Sequence, residues 1–317
     1  LAFVKPEKKK EGVKFLVYGD SGSGKTPFGL SFPNIAHVDS DSGTTFYDKS
    51  NVVITTNTLS LKELYEEVDD VERDEDLFES IDTFTVDSIT RFHENQEHAA
   101  LKVVEQRAIS SNRLLEGEGI SVKERGIIKL HYEKFFGRMM EIAKQAKNLV
   151  FIAEKKDKNE QKKDALGQSV SVKIGEMPNM QKNAEYDFDV VIKTYIKDGE
   201  SHGVIEKDRT GTFKVGDEVV RPNYSHWADA ISQAQKGTLR KKDEIQTFTD
   251  AINKEAEQHS ISSGDRAVQL IDEITGVINE LDDAKKTVLA EGFTKKFKTI
   301  KYKDIKDIAK LTDMLEF

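Results

Sequence analysis

The sequence predicts an α/β fold over residues 1–235, a mostly parallel sheet with covering helices, followed by a small all-helical C-terminal domain over residues 236–317. Three observations carry that prediction. Short apolar, β-rich runs alternate with helix-period segments through roughly the first two thirds of the chain, the pattern of a parallel sheet with helices on its faces. The first run leads directly into Gly19-Asp20-Ser21-Gly22-Ser23-Gly24-Lys25-Thr26, which satisfies G-x-x-x-x-G-K-[ST] between a strand and a helix. Beyond Trp227 the strand signals stop and apolar residues recur at three-to-four spacing.

In chain order, the strand candidates are Val13–Tyr18, Ile35–Asp39, Val52–Thr55, Ile81–Asp87, Leu149–Glu154, Phe188–Tyr195 and Gly203–Lys207. A short first helix follows the glycine-rich loop and is closed by Pro33-Asn34. Leu61–Val71 reads as a helix, as does Ile128–Ala146, where Ile128, Tyr132, Phe135, Met139 and Ala143 share one face. The charged run Lys155–Asp164 reads as a mobile loop. In the tail, Ala267, Leu270, Ile271, Ile274 and Ile278 form one apolar stripe, and Tyr302, Ile305, Ile308, Leu311 and Leu315 another. No internal repeat is evident.

Composition narrows the function classes. A chain of 317 residues suggests about two domains. No apolar stretch approaches the roughly 20 residues of a membrane span, and no signal-peptide core follows Lys5–Lys10, so a cytoplasmic protein without a membrane partner is expected. The absence of cysteine excludes disulfides, thiolate metal sites and thiol catalysis. A net charge of −9 argues against a uniformly basic nucleic-acid-coating surface, leaving local basic loops for that role.

The glycine-rich loop supplies the chemistry. Its backbone N–H groups, from Gly19 to Thr26, can turn inward around phosphates, Lys25 can reach the β and γ oxygens, and the Thr26 hydroxyl can ligate Mg²⁺. ATP and Mg²⁺ are the expected ligands. Pro27 follows where many such loops offer another N–H, and proline has none, so modest nucleotide affinity is expected. In Thr83–Ser88, apolar residues carry Asp87 to a strand's C-terminal edge, where a parallel sheet places its ligand crevice and a carboxylate can hold the metal. Ile35–Gly43 lifts Asp39 and Asp41 to the same edge, with Asp41 the candidate to orient the attacking water and Asp39 a support for the turn.

This order of parts resembles the RecA-like ATPase core, whose catalytic glutamate falls on Asp41. The shorter carboxylate is a departure that implies slow turnover. Val204-Ile205-Glu206-Lys207-Asp208-Arg209-Thr210-Gly211 resembles the K-x-R-x-G motif of RecA-like hexameric helicases and the K-N-R-F-G of RadA. The resemblance implies that Lys207 and Arg209 act on the γ-phosphate of a neighbouring protomer, as side chains at i and i+2 of a strand share a face. Over roughly residues 12–230 the chain is similar to the phage-encoded Sak-type single-strand annealing proteins, the AAA-class recombinases. That similarity implies ATP-modulated binding of single-stranded DNA, annealing or strand exchange in phage recombination, and a homo-oligomer, ring or filament, in the host cytoplasm. A single-strand-binding protein or another recombination or replication protein would be a further partner.

Glu154 stands where such cores place a polar sensor, and would repel a γ-phosphate unless Lys155 or Lys156 compensates. Lys155, Lys156, Lys158, Lys162, Lys163, Lys173 and Lys182 are candidates to neutralise DNA phosphates. Arg107, Arg113, Lys123 and Arg125 form a weaker second group. His93 and His98 lie five apart, the wrong spacing for a zinc-protease helix, and read as a solvated helix face. Trp227 reads as a core or domain-junction anchor, and the ending Thr312–Phe317 as a terminal amphipathic helix or a partner-docking segment. A P-loop kinase, a hexameric helicase or its loader, and a nucleotide-gated, non-catalytic scaffold binding single-stranded DNA remain alternatives.

Overall fold

The computed structural model describes residues 7–111, 119–163, 167–241, 244, 245 and 247–315. Two compact units divide the chain, residues 1–247 and 248–317.

The first unit is built on one sheet. β1 (Lys14–Gly19), β2 (Ile35–Asp39), β3 (Val52–Thr56), β4 (Thr83–Asp87), the first part of β5 (Asn148–Lys163) and β7 (Val190–Lys197) run parallel in the order β3-β2-β4-β5-β1-β7. β8 (Glu200–Asp208) and β9 (Glu218–Val220) extend it antiparallel. The predicted α/β class with a mostly parallel sheet is therefore observed.

Alternation along the strands sends successive side chains to opposite faces. Leu16, Tyr18, Ala36, Val38, Phe84, Val86 and Phe151 meet α2 (Leu61–Arg73), α4 (Ile89–Ser110) and α5 (Val122–Lys144). Phe15, Val17, Ile35, Val150, Ile152 and Ile192 meet Phe28 of α1 (Lys25–Leu30), Phe32, Trp227 and Ile231 of α6 (Ala228–Ala234). Trp227 is thus a core residue of the first unit, with its indole N–H on Asp208 at 3.0 Å. Sequence signals also start the helices: Ser60 caps α2 through the Glu63 N–H, and Ser121 with Glu124 forms a capping box on α5. Between α2 and β4 lies the short α3 (Glu75–Ser80).

One expectation is corrected here. The run from Lys155 is no loop: it is the outer part of β5, paired antiparallel with β6 (Ser169–Pro178) from Lys155–Pro178 to Lys163–Ser169, while Asp164 lies outside the described residues. The missed signal is the alternation of Val170, Val172 and Ile174 with Ser171 and Lys173, a period-2 pattern. Cross-strand charge supports it, Lys173 meeting Asp157 at 2.6 Å.

The second unit holds α7 (Phe248–Glu280), α8 (Asp283–Phe297), a 3₁₀ turn at Tyr302–Asp304 and α9 (Ile308–Leu315). Leu270 and Ile274 pack with Phe293, Phe297, Leu311 and Met314. The second predicted stripe is therefore divided between the turn and a short helix, and α8 supplies core residues that neither stripe contained. The side chains of Ala267 and Ile308, with residues 316 and 317, lie outside the described residues.

Candidate nucleotide-binding site

The loop Gly19–Thr26 leaves β1 at the C-terminal edge of the sheet. Close packing and backbone twist explain two of its glycines. A Cβ on Gly19 would lie 2.2 Å from the Thr194 carbonyl, and Gly24 adopts φ 92° with its α-carbon against Ser201. Neighbouring strands brace the loop. The Ser201 hydroxyl donates to the Ser23 carbonyl at 2.7 Å, and the Ser23 and Thr194 hydroxyls are 2.7 Å apart. Lys25 Nζ donates to the carbonyls of Asp20 at 2.5 Å and Gly19 at 3.2 Å. Burial lowers its pKa, against the opposing pull of Asp87, Glu154 and Asp20. Pro27 is the third residue of α1, whose first hydrogen bond runs from Phe28 N–H to Gly24 carbonyl at 3.1 Å. Its missing donor is one that a helix leaves unused in any case.

Across the crevice, Thr26 donates its hydroxyl proton to Asp87 Oδ2 at 2.6 Å. Asp87 is 7% exposed, and burial pushes its pKa up to about 6, with Asp41 and Asp39 adding to the rise and the Thr26 hydroxyl and Lys25 opposing it. A hydroxyl and a carboxylate form an oxygen set suited to Mg²⁺, which takes its remaining ligands from phosphates and water.

Asp39 is buried and supports its turn, accepting from Gly43 N–H at 3.0 Å, from Thr44 N–H at 3.3 Å and from the Thr44 hydroxyl. Asp41 is exposed, accepts from Gly43 N–H at 2.9 Å, and acts electrostatically on Asp87.

Lys207 and Arg209 stand elsewhere. Gly19 is level with Thr194, but Lys207 pairs with Val191 and is level with Leu16, and Arg209 N–H donates to the Asp189 carbonyl at 2.9 Å, beside Lys14. That is the other end of the sheet, roughly 10–17 Å along the strands from Gly19. The strand ends at Asp208, so Arg209 opens the following turn rather than sharing a strand face with Lys207. Lys207 Nζ donates to the carbonyls of Tyr186 at 2.9 Å and Glu185 at 3.2 Å. The Arg209 guanidinium is 58% exposed and 3.9 Å from Asp189.

The lysine candidates separate by environment. Lys155 bridges Asp20 of the loop at 2.9 Å and Glu176 at 2.8 Å, and so is not free for DNA. Lys193 also meets Glu176 at 2.6 Å, and these cations hold the Glu176 carboxyl down at about 2. Lys156 is half-buried, while Lys158, Lys162, Lys163 and Lys182 are exposed, Lys162 lying 3.4 Å from Glu160. In the second group, Arg107 pairs with Glu124 at 2.7 Å, and Arg113 lies outside the described residues.

Glu154 is compensated by neither lysine that the sequence suggested. Its partner is Arg91, at 2.9 Å, in the first turn of α4. Arg91 escaped sequence reading; the available signal was its place one helical turn after the strand that ends in Asp87. His93 packs its ring on Tyr132 with burial lowering its pKa, so that helix face is not simply solvated. Among the described residues no group of three or more His, Cys, Asp or Glu could hold a metal ion, and no helix is long and apolar enough to cross a membrane.

The family model AAA_24, an AAA domain, matches residues 11–225. No curated protein matches the sequence. Similar solved structures include the RadB recombinase, with TM-score 0.39 and 16% identity over 67% of this chain and 87% of that one. Another is the flagellar accessory protein FlaH from Methanocaldococcus jannaschii, with TM-score 0.35 and 10% identity over 67% of this chain and 85% of that one.

Proposed function

We propose, on the premise that this chain belongs to the AAA_24 family of AAA domains, that it is a RecA-like, Mg²⁺-ATP-dependent ATPase. It assembles on single-stranded DNA and promotes annealing or strand exchange in phage recombination. The observation that carries the ATPase reading is the 2.6 Å hydrogen bond from Thr26 to Asp87 beside Lys25, at the sheet edge where the loop opens. In this reading the loop N–H groups and Lys25 hold the triphosphate, Thr26 and Asp87 hold Mg²⁺, and Asp41 orients the attacking water. Bound Mg²⁺ supplies charge neutralisation for phosphoryl transfer.

Distance supports a role in trans for the two cations. Arg209 cannot reach its own loop along the sheet, yet its guanidinium is exposed. Nucleotide held between protomers would make turnover depend on assembly. A trans-acting arginine contributes about 10³–10⁵ in rate in GTPase systems. ATP turnover is expected to rise more steeply than in proportion to protein concentration, and further with single-stranded DNA. Arg209→Ala is expected to lose at least about 10³-fold in turnover while binding ATP normally. Strict proportionality without DNA stimulation, or an active Arg209→Ala variant, would sink the assembly reading.

One observation favours a second reading, a nucleotide-gated scaffold with little hydrolysis. Asp41 is tied to its own turn by the Gly43 N–H. Full strand annealing by Lys25→Ala without nucleotide would decide for it.

A further inference from the structure

Glu154 pairs in register with Gly19, so it stands directly beside the glycine-rich loop, and its charge acts on Lys25. The fold holds it by three handles. Its N–H donates to the Thr90 hydroxyl at 2.9 Å, its carbonyl accepts from Asn179 N–H at 2.7 Å, and its carboxylate meets Arg91 at 2.9 Å. Thr90 is itself fixed, donating to the Asn179 carbonyl at 2.7 Å. Arg91 divides its guanidinium between two anions, Nη2 on Glu154 and Nη1 on Glu94 at 3.1 Å, and its side chain is 41% exposed. A protein anion thus lies near the place where the terminal phosphate of a Lys25-bound triphosphate arrives, with a cation already turned toward it.

Two anions are unfavourable there unless the cation serves the newcomer. Resting on the nucleotide-binding reading above, we propose that Arg91 is a γ-phosphate ligand supplied in cis, which exchanges Glu154 for the terminal phosphate and makes the site prefer a nucleoside triphosphate to a diphosphate. The guanidinium suits this exchange, since its separate N–H edges let Glu94 keep one while the other changes partner. A diphosphate offers no oxygen to compete, and Arg91 stays on Glu154. No bond is made or broken in the exchange; it is a change of ion-pair partner.

The test compares dissociation constants for Mg²⁺-ADP and for the Mg²⁺ complex of the imido analogue of ATP, by titration calorimetry, in the wild type, Arg91→Ala and Glu154→Gln. Arg91→Ala is expected to weaken the triphosphate analogue by about 10- to 100-fold, the loss of a charge-assisted hydrogen bond, and ADP by less than about threefold. Glu154→Gln is expected to tighten the triphosphate analogue more than ADP. An unchanged ratio of the two constants in both variants overturns the inference and leaves nucleotide binding intact. A wild type that binds neither nucleotide overturns the nucleotide reading and this inference with it. Should Arg91→Ala fail to fold, Arg91→Gln keeps most of the aliphatic stem and gives the same comparison.

Discussion

At pH 7 Asp87 must hold a negative charge while 7% exposed, and its pKa of about 6 measures the cost. Its folded pKa lies above the ordinary aspartate value of 3.8, so the folded state binds more protons between those values and stability falls as pH rises through that window. Asp87→Asn keeps an acceptor for Thr26 and removes the charge. It is expected to stabilise the ligand-free protein by on the order of 1–3 kcal/mol at pH 7, with the gain vanishing near pH 4, and to abolish ATP turnover. Thermal denaturation at the two pH values checks the first part and a turnover assay the second. In the proposed function Asp87 holds the metal as a carboxylate, so wild-type affinity for Mg²⁺-ATP should fall below about pH 6, by up to about tenfold per pH unit. His37 has the opposite sign. It is 1% exposed, neither ring nitrogen has a hydrogen-bond partner among the described residues, and burial holds its pKa down at about 4. Its contribution is present above the unfolded value of about 6.5 and is lost as pH falls toward 4. His37→Leu should flatten the loss of stability between those pH values; an unchanged pH profile by urea denaturation would show that His37 does not titrate there.

The antiparallel pair of β5 and β6 is the element on which the proposed DNA role depends. Only part of its positive charge is available to a phosphate backbone, because Lys155 is bound to Asp20 and Glu176, and Lys173 to Asp157. The exposed distal lysines are the ones expected to count. Lys162→Glu with Lys163→Glu should weaken single-stranded DNA binding, and reduce the slope of log affinity against log salt by about 1–2, without changing affinity for ATP. Equal DNA binding across a salt titration would remove the hairpin from the interface. This element also shows where sequence legibility ends. The central parallel strands were readable because burial on both faces makes them continuous apolar runs, as in Phe15–Tyr18 and Leu149–Ala153. The hairpin strands are exposed, so their composition follows solvent rather than core, and lysines obscured the period-2 signal of Val170 and Val172. β9 has three residues, too few for any periodicity. In the candidate site, the placement of contiguous motifs was legible: Gly19–Thr26 beside Asp87, and Asp39 bonded within its own turn. Arg91 was not, because its meaning comes from Glu154, a residue distant in sequence that folding brings within 2.9 Å.

At the scale of the whole molecule, the two ends of one sheet carry different parts of the proposed chemistry. The C-terminal edge of β1 and β4 gathers Lys25, Thr26 and Asp87, while the opposite edge holds Lys207 and Arg209 among Asp187, Asp189 and the carbonyls of Glu185 and Tyr186. The same split is what makes rate depend on concentration in the proposed function. β8 spans it: its head, Ser201, is hydrogen-bonded to the glycine-rich loop at Ser23, and its tail carries Lys207, roughly 20 Å away. Pairing with β7 runs the length of this span, with one register shift at Glu206, so β8 is a continuous link between the two ends. In the assembly proposed above, a single strand would thus join the loop that grips one nucleotide to the cations that serve the next.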